Sequence, residues 1–396
     1  MTITSTIKRS ARLTATVATL VAGVCVVAPS ASAADDIGMA PYDVAGMARA
    51  IESRLGSVTG WSYAIAKDGR LAASNADGQA RTAADGAVPM TTTSKMEIWS
   101  VTKTYTAAAT LELLEAHPQA SVSSPVAPYL PAGWFRGAGF GATMPLDQRV
   151  TFAQLLGHTS GLGQVKDGLT PLERSLGLYN KRWAGVQYAV AKGTSAPASY
   201  NYDNMNYALL RVLNARLARD LNPAIPVQNA SNTGTINLAV INARLLQPAG
   251  INPTSCVAAN PSSAVLHYNA ATPAQSGVLV QLTGPDNEEC AGHRGLHLSA
   301  IDMLRFMVHL RHGSIVSEAV RTMMDSNQFG WNQNSNSNAS GVYWHGGDGF
   351  VGGREGHTCH MKFPNNIEAT LIINSSLTGV NASQCGLLRQ SWQNPA

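Results

Sequence analysis

The chain has 396 residues, a formal net charge of +4, and charged side chains at only 13% of positions. With 45% hydrophobic residues, it is not a disordered polyelectrolyte but a chain long enough to bury a large core. A nucleic-acid or anionic-membrane partner would call for a concentrated basic excess, and none is present.

At the N-terminus Lys8, Arg9 and Arg12 precede an apolar run from Leu13 to Val27, and Ala31-Ser32-Ala33 follows. Charge, apolar run and small residues in that order predict a cleaved secretory signal over residues 1–33. The run is too short and too rich in Ala and Thr for a stable membrane span, which takes roughly 20 apolar residues. A lipoprotein site at Cys25 is disfavoured by Val24, where a small residue is wanted. Removing three cations and no acid takes the charge from +4 to +1 on residues 34–396, read as one domain. The expected location is secreted: extracellular, periplasmic or at the cell wall. Cys256, Cys290, Cys359 and Cys385 remain, and an even count in an exported chain favours disulfides. Pairing sequence neighbours, Cys256 with Cys290 and Cys359 with Cys385, closes the shorter loops at least entropic cost.

In chain order, Tyr42–Leu55 reads as an amphipathic helix ended by Gly56. Trp61–Ala66 and Leu71–Ser74 flank Asp68-Gly69, a strong hairpin signal. Trp99–Glu115 is helical in pattern and apolar on most sides, so it should be buried. Residues 120–150 are loop-like, and further helices are expected at Thr151–Gly157, Met205–Leu221, Thr235–Leu246 and Ser299–His312. Asn332–Ser340 belongs in an exposed loop. Strands are expected at Gly341–Trp344, Thr358–Phe363 and Ile367–Ile373, and a last helix at Gln384–Trp392. Strands at both ends with helices between them predict an α+β fold, its first strands pairing with its last in one antiparallel sheet.

Three groups of residues carry chemistry. In Ser100-Val101-Thr102-Lys103 the two end residues share a helix face, since a turn takes about 3.6 residues. A serine hydroxyl needs a neighbour to take its proton, and a lysine in a partly dry pocket can do so. The helix start also offers free backbone N–H groups to an oxyanion. In Tyr202-Asp203-Asn204 the phenol can be held as phenolate or share its proton, and the amide can bind a substrate. Trp344-His345-Gly346-Gly347-Asp348-Gly349-Phe350 reads as a strand entering a glycine-rich turn along which a substrate could lie, with His345 donating to it. Each group alone is as well explained by an ordinary helix face, a helix cap or a turn.

Together, in this order, they resemble the serine β-lactamase and penicillin-recognising DD-peptidase superfamily. The similarity is greatest to its class C-like branch of β-lactamases, D-alanyl-D-alanine carboxypeptidases, D-aminopeptidases and esterases. Leu155–Leu162, with its H-T-S-G-L core, and Tyr202–Leu210 support the match. The resemblance implies a β-lactamase-like fold and an acyl-enzyme on Ser100, with Lys103 and Tyr202 managing protons. It implies that the N–H groups of Ser100 and Asp348 form the oxyanion hole, that Asn204 binds the acyl-side amide, and that His345, Gly346 and Gly347 form the substrate strand. His158 is expected to be structural. No cofactor or metal is implied, and the partner is a small-molecule or peptide substrate, including peptidoglycan-derived ones.

Two departures from the family pattern matter. Asp203 stands where Ser or Ala is usual, and facing the site it would oppose a phenolate. Gly346 lacks the hydroxyl that helps bind a carboxylate. His345 stands where many members place lysine and others histidine, and it is mostly neutral near pH 7. Small esters and D-amino-acid amides or peptides are therefore expected over efficient β-lactam hydrolysis, unless Arg294 or Arg354 reaches the site. Two rivals are a zinc hydrolase, through Cys290, His293 and His297 or His357, Cys359 and His360, and a non-turnover penicillin-binding, wall-sensing module.

Overall fold

Pairs of left-handed residues fold neighbouring strands onto one another. The computed structural model describes residues 42–134, 150–193, 199–272, 274–313, 315–333, 341–378, 380 and 382–396. The expected signal at 1–33 and most of the Asn/Ser run lie outside these. Helix α1 (Val44–Arg54) leads to strands β1 (Gly60–Lys67) and β2 (Arg70–Arg81). Asp68 and Gly69, at φ 52° and 74°, make the tight turn between them, its twist matching that of paired strands. β2 runs far beyond the expected Leu71–Ser74 because its pairing with β1 continues to Gly78. Its polar, exposed residues give no apolar alternation to read.

Two short strands, β3 (Val88–Pro89) and β4 (Met96–Glu97), lead into a single 3-10 turn at Trp99–Val101 and helix α2 (Thr102–Ala116). Every residue from Thr102 to Leu111 is buried, as the all-round apolar pattern predicts. Helices α3 (Phe152–Leu156), α4 (Pro171–Ser175), α5 (Trp183–Lys192), α6 (Asn204–Leu221) and α7 (Thr233–Ile241) follow, and α7 runs into a π turn at Asn242–Leu246. Strand β5 (His297–Leu298) pairs with β4, and α8 (Ala300–His312) and α9 (Glu318–Asn327) come next. Helices α4, α5 and α9 add to the expected order. The α4 start is a capping box built by Thr170 and Glu173.

Strands β6 (Tyr343–Val351), β7 (Arg354–Phe363) and β8 (Ile367–Ile373) precede the last helix, α10 (Gln384–Gln393). The antiparallel sheet has the order β3-β2-β1-β8-β7-β6, so the first strands do pair with the last. Helices α1 and α10 pack on one face, and α8 packs against the strands with α2 and α6 in the other core. The expected glycine-rich turn is corrected: β6 continues through Gly346, Gly347 and Gly349, paired with β7 along its length.

Both expected cysteine pairs are present as disulfides, Cys256–Cys290 and Cys359–Cys385. The second pins the first turn of α10 to β7. Among the described residues no helix is long and apolar enough to cross a membrane.

Candidate active site

Ser100 lies in the 3-10 turn and Lys103 one turn on, in α2. The Lys103 Nζ donates to Ser100 Oγ at 2.8 Å and to the His293 carbonyl at 3.1 Å. It also lies 4.9 Å from the centre of the Tyr202 ring. Lys103 is fully buried, and loss of water pushes its pKa well below the usual lysine range despite the opposing charge of Asp203. An amine so placed is suited to accept the serine proton.

The Tyr202 side chain is hydrogen-bonded to Ser100. Burial pushes its pKa up, and the Ser100 bond only partly opposes this, so the phenolate suggested by the sequence is disfavoured. Of the two neighbours of Ser100, Lys103 is the one whose basic form burial favours.

His158 holds the tyrosine in place. Its carbonyl accepts the Asn201 N–H at 2.9 Å and its Nδ1 accepts the Asp203 N–H at 3.3 Å. Its ring centre lies 4.6 Å from that of Tyr202. The Asp203 carboxylate does not point at Ser100. It caps α6, accepting the Met205 N–H at 2.7 Å and the Tyr179 hydroxyl at 3.1 Å, with Lys166 at 3.4 Å. The feared opposition between Asp203 and Tyr202 is thus largely absorbed by the helix start. Asn204 opens α6, but its Oδ1 is covered and finds no donor among the described residues, and Asn204 is not part of the described cavity wall.

A cavity of about 520 Å³ opens at this point. Ser100, Tyr200, Tyr202 and Asn332 form one side, and Trp344, His345, Gly346 and Asp348 of β6 form the other. Ser383, Gln384 and Cys385 close it from the start of α10. Among the sequence-predicted residues, Ser100, Tyr202, His345, Gly346 and Asp348 therefore share one wall system, with Lys103 beneath. His345 is buried, and its Nδ1 donates to the Gly346 carbonyl at 2.7 Å, which leaves Nε2 as an acceptor. Burial and the nearby Lys103 push its pKa down to about 3, so the ring is neutral. The expected donation from His345 to a substrate is corrected accordingly, because its one N–H is already engaged.

The glycines of β6 have a structural purpose that the sequence does not reveal. A Cβ on Gly349 would fall 1.8 Å from the Trp99 ring, and one on Gly347 would fall 2.4 Å from the Ile98 carbonyl oxygen. Only glycine lets β6 approach the serine turn so closely. Trp99 itself has φ of 50°, a left-handed conformation uncommon for a bulky residue, and Arg294 stacks 4.6 Å from its ring centre. A Cβ at Gly346 would meet Cys385 Sγ at 3.1 Å and Gln384 Nε2 at 3.2 Å. The disulfide and Gln384 thus fill the space that a Thr or Ser side chain would need.

Other expectations are settled by covalent and ionic partners. Cys290 and Cys359 are locked in disulfides, which removes them from the suggested zinc sets. Arg294 forms a two-pronged pair with buried Glu97 at 2.8 and 3.0 Å. Arg354 bonds the carbonyls of Ser276 and Gly352. Neither arginine lines the cavity. The residues missed from sequence are Trp99 and Gln384, and His357, suggested as a zinc ligand, instead bonds Asp348 and Glu355. That pairing becomes findable once Gly352-Gly353 is read as a turn, because the register sets His357 opposite Asp348.

The family model described as Beta-lactamase matches residues 47–376. No curated protein matches the chain in sequence. Among solved structures, a penicillin-binding protein homologue from Pyrococcus abyssi superposes with a TM-score of 0.61 at 20% identity, covering 89% of this chain and 77% of that one. EstCE1, a hydrolase with promiscuous acyltransferase activity, gives 0.65 at 17% identity, covering 88% and 98%. D-amino acid amidase from Ochrobactrum anthropi SV3 gives 0.60 at 18% identity, again covering 88% and 98%. These likenesses are of fold.

Proposed function

Since the chain belongs to the Beta-lactamase family, we propose that it is a secreted serine hydrolase working through an acyl-enzyme on Ser100. The observation that carries this reading is the Lys103 amine 2.8 Å from Ser100 Oγ in a fully buried position. As Ser100 Oγ bonds to the substrate carbonyl carbon, its proton passes to Lys103. Tyr202, bonded to Ser100, then relays a proton to the departing amine or alcohol as the carbonyl–leaving-group bond breaks. Water next attacks the ester carbonyl, one of its protons passing to Lys103 and on to Ser100 Oγ as the acyl carbon–Oγ bond breaks, which releases the acid and restores Ser100. The N–H groups of Ser100 and Asp348, on opposite walls, hold the oxyanion.

The favoured substrates are small esters and D-amino-acid amides or peptides, including D-alanyl peptides of peptidoglycan origin, over β-lactams. Three observations support this. His345 is neutral, the side-chain space at Gly346 is filled, and Arg294 and Arg354 are engaged away from the cavity. A substrate carboxylate finds no free cation in the described wall. The test is intact-mass labelling with a serine-reactive phosphonate, followed by catalytic efficiency on p-nitrophenyl esters, D-amino-acid amides, D-alanyl-D-alanine peptides and a chromogenic cephalosporin. Labelling at Ser100 with ester or amide turnover is expected. Cephalosporin hydrolysis ahead of the others would overturn the substrate preference, and a stable label without turnover on any substrate would favour a binding module.

A further inference from the structure

Resting on that acyl-transfer reading, we infer that Asp348 is a specificity determinant whose carboxylate selects acyl donors with an ammonium group beside the scissile carbonyl. Such donors are unblocked amino-acid amides and esters, and the free amino end of a peptide. Asp348 is the one charged side chain in the described wall of the cavity. Its Oδ1 is fixed from two directions, by His357 Nδ1 at 2.7 Å and by Gln384 Nε2 at 2.9 Å. Its Oδ2 has no partner among the described residues, and the side chain is 51% exposed. The carboxylate is therefore aimed by its neighbours yet open on one oxygen.

The sign of the local charge does not depend on His357. That ring sits between Asp348 and Glu355, with its Nε2 3.1 Å from the Glu355 carboxylate. Two carboxylates with a protonated imidazole leave one net negative charge, and with a neutral imidazole they leave two. Of the cations near the site, Lys166 faces Asp203, Arg294 faces Glu97, and Lys103 is buried beneath Ser100, and none lines the wall. Asp348 belongs to the same residue whose N–H is assigned to the oxyanion. Its carboxylate shares the cavity with Ser100 and is near enough for its charge to act on Tyr202 and His345. An ammonium in that cavity gains an opposite charge in a half-enclosed site, where such attraction exceeds its value in open water. An acylated amine gains nothing and loses its charge.

The experiment compares kcat/KM for alanine p-nitroanilide in both enantiomers, the N-acetylated forms, and p-nitrophenyl acetate. With the wild-type chain, the free amine should exceed its N-acetyl form by about tenfold or more, a ratio that shrinks in 0.5 M salt. D348N, which keeps the shape, and D348S should both bring the ratio close to one, with folding checked by thermal melting. A purely structural role for Asp348 would lower both rates together and leave the ratio intact. That result, or a wild-type preference for the N-acetyl substrate, overturns the inference. Ser100-dependent hydrolysis of p-nitrophenyl acetate alongside either result keeps the serine reading. Absence of turnover on every substrate removes both.

Discussion

Ser100, Lys103 and Tyr202 form one hydrogen-bonded unit, so single substitutions should not behave independently. S100A should abolish turnover and covalent labelling while leaving the melting temperature nearly unchanged, since Lys103 keeps the His293 carbonyl. Unaltered turnover in S100A would refute the mechanism. K103A and Y202F should each lower kcat/KM by roughly 100- to 10,000-fold, the range of general acid–base contributions. The double variant should fall little further, because residues acting as a unit are not additive. Steady-state rates on an activated ester measure all three, and additive losses would assign the two residues to separate steps.

At the scale of elements, the site depends on how closely β6 approaches the serine turn. Gly349→Ala puts a methyl against the Trp99 ring, where no rotation of a long side chain can relieve the contact. It should lower the melting temperature and reduce activity at least tenfold by displacing Ser100. Full activity in G349A would show that the strand can move away at little cost. The Cys359–Cys385 bridge holds α10 against β7, and with it Gln384 against Asp348. Replacing both cysteines with Ala should cost about 3 kcal/mol, typical for a native bridge. Denaturant unfolding of the variant measures it, and an unchanged midpoint would mean that packing alone holds α10.

The whole molecule buries His158, His267, His293, His345 and His360, all with pKa pushed down by desolvation. For His267 and His345 the value falls to about 3. In the unfolded chain a histidine titrates near 6.5, so below about pH 6.5 the unfolded state binds more protons than the folded one. Stability is therefore lost as pH falls through that value. Each such histidine contributes a slope of at most about 1.4 kcal/mol per pH unit. Glu289 and Glu368, raised by burial, act in the opposite sense but are fewer. The melting temperature should drop clearly between pH 7 and pH 5, and calorimetry in matched buffers measures it. A flat profile would mean that these histidines gain water or partners on acidification.

Local chemistry determined much of this protein. Asp68-Gly69 announced its hairpin because adjacent left-handed residues have few other uses. The apolar surround of Ser100 and Lys103 announced a buried helix, since a charge on such a helix must have a partner or a purpose. The cysteine pairs followed from loop length, and the order of three short motifs pointed to the family that the match over residues 47–376 then showed. Tertiary structure alone decided the rest. Whether Asp203 faced the serine or capped α6 depended on where Tyr179 and Met205 came to lie. Whether the β6 glycines served a substrate or Trp99 depended on a contact between segments some 250 residues apart in sequence. Gln384 and His357 met Asp348 only when α10 and β7 were brought to β6. A sequence records which groups a chain carries and the periodicity of its short segments. Which groups meet, and which lose water when they do, is fixed by contacts between distant segments, and those contacts set both the basicity of Lys103 and the charge of the cavity wall.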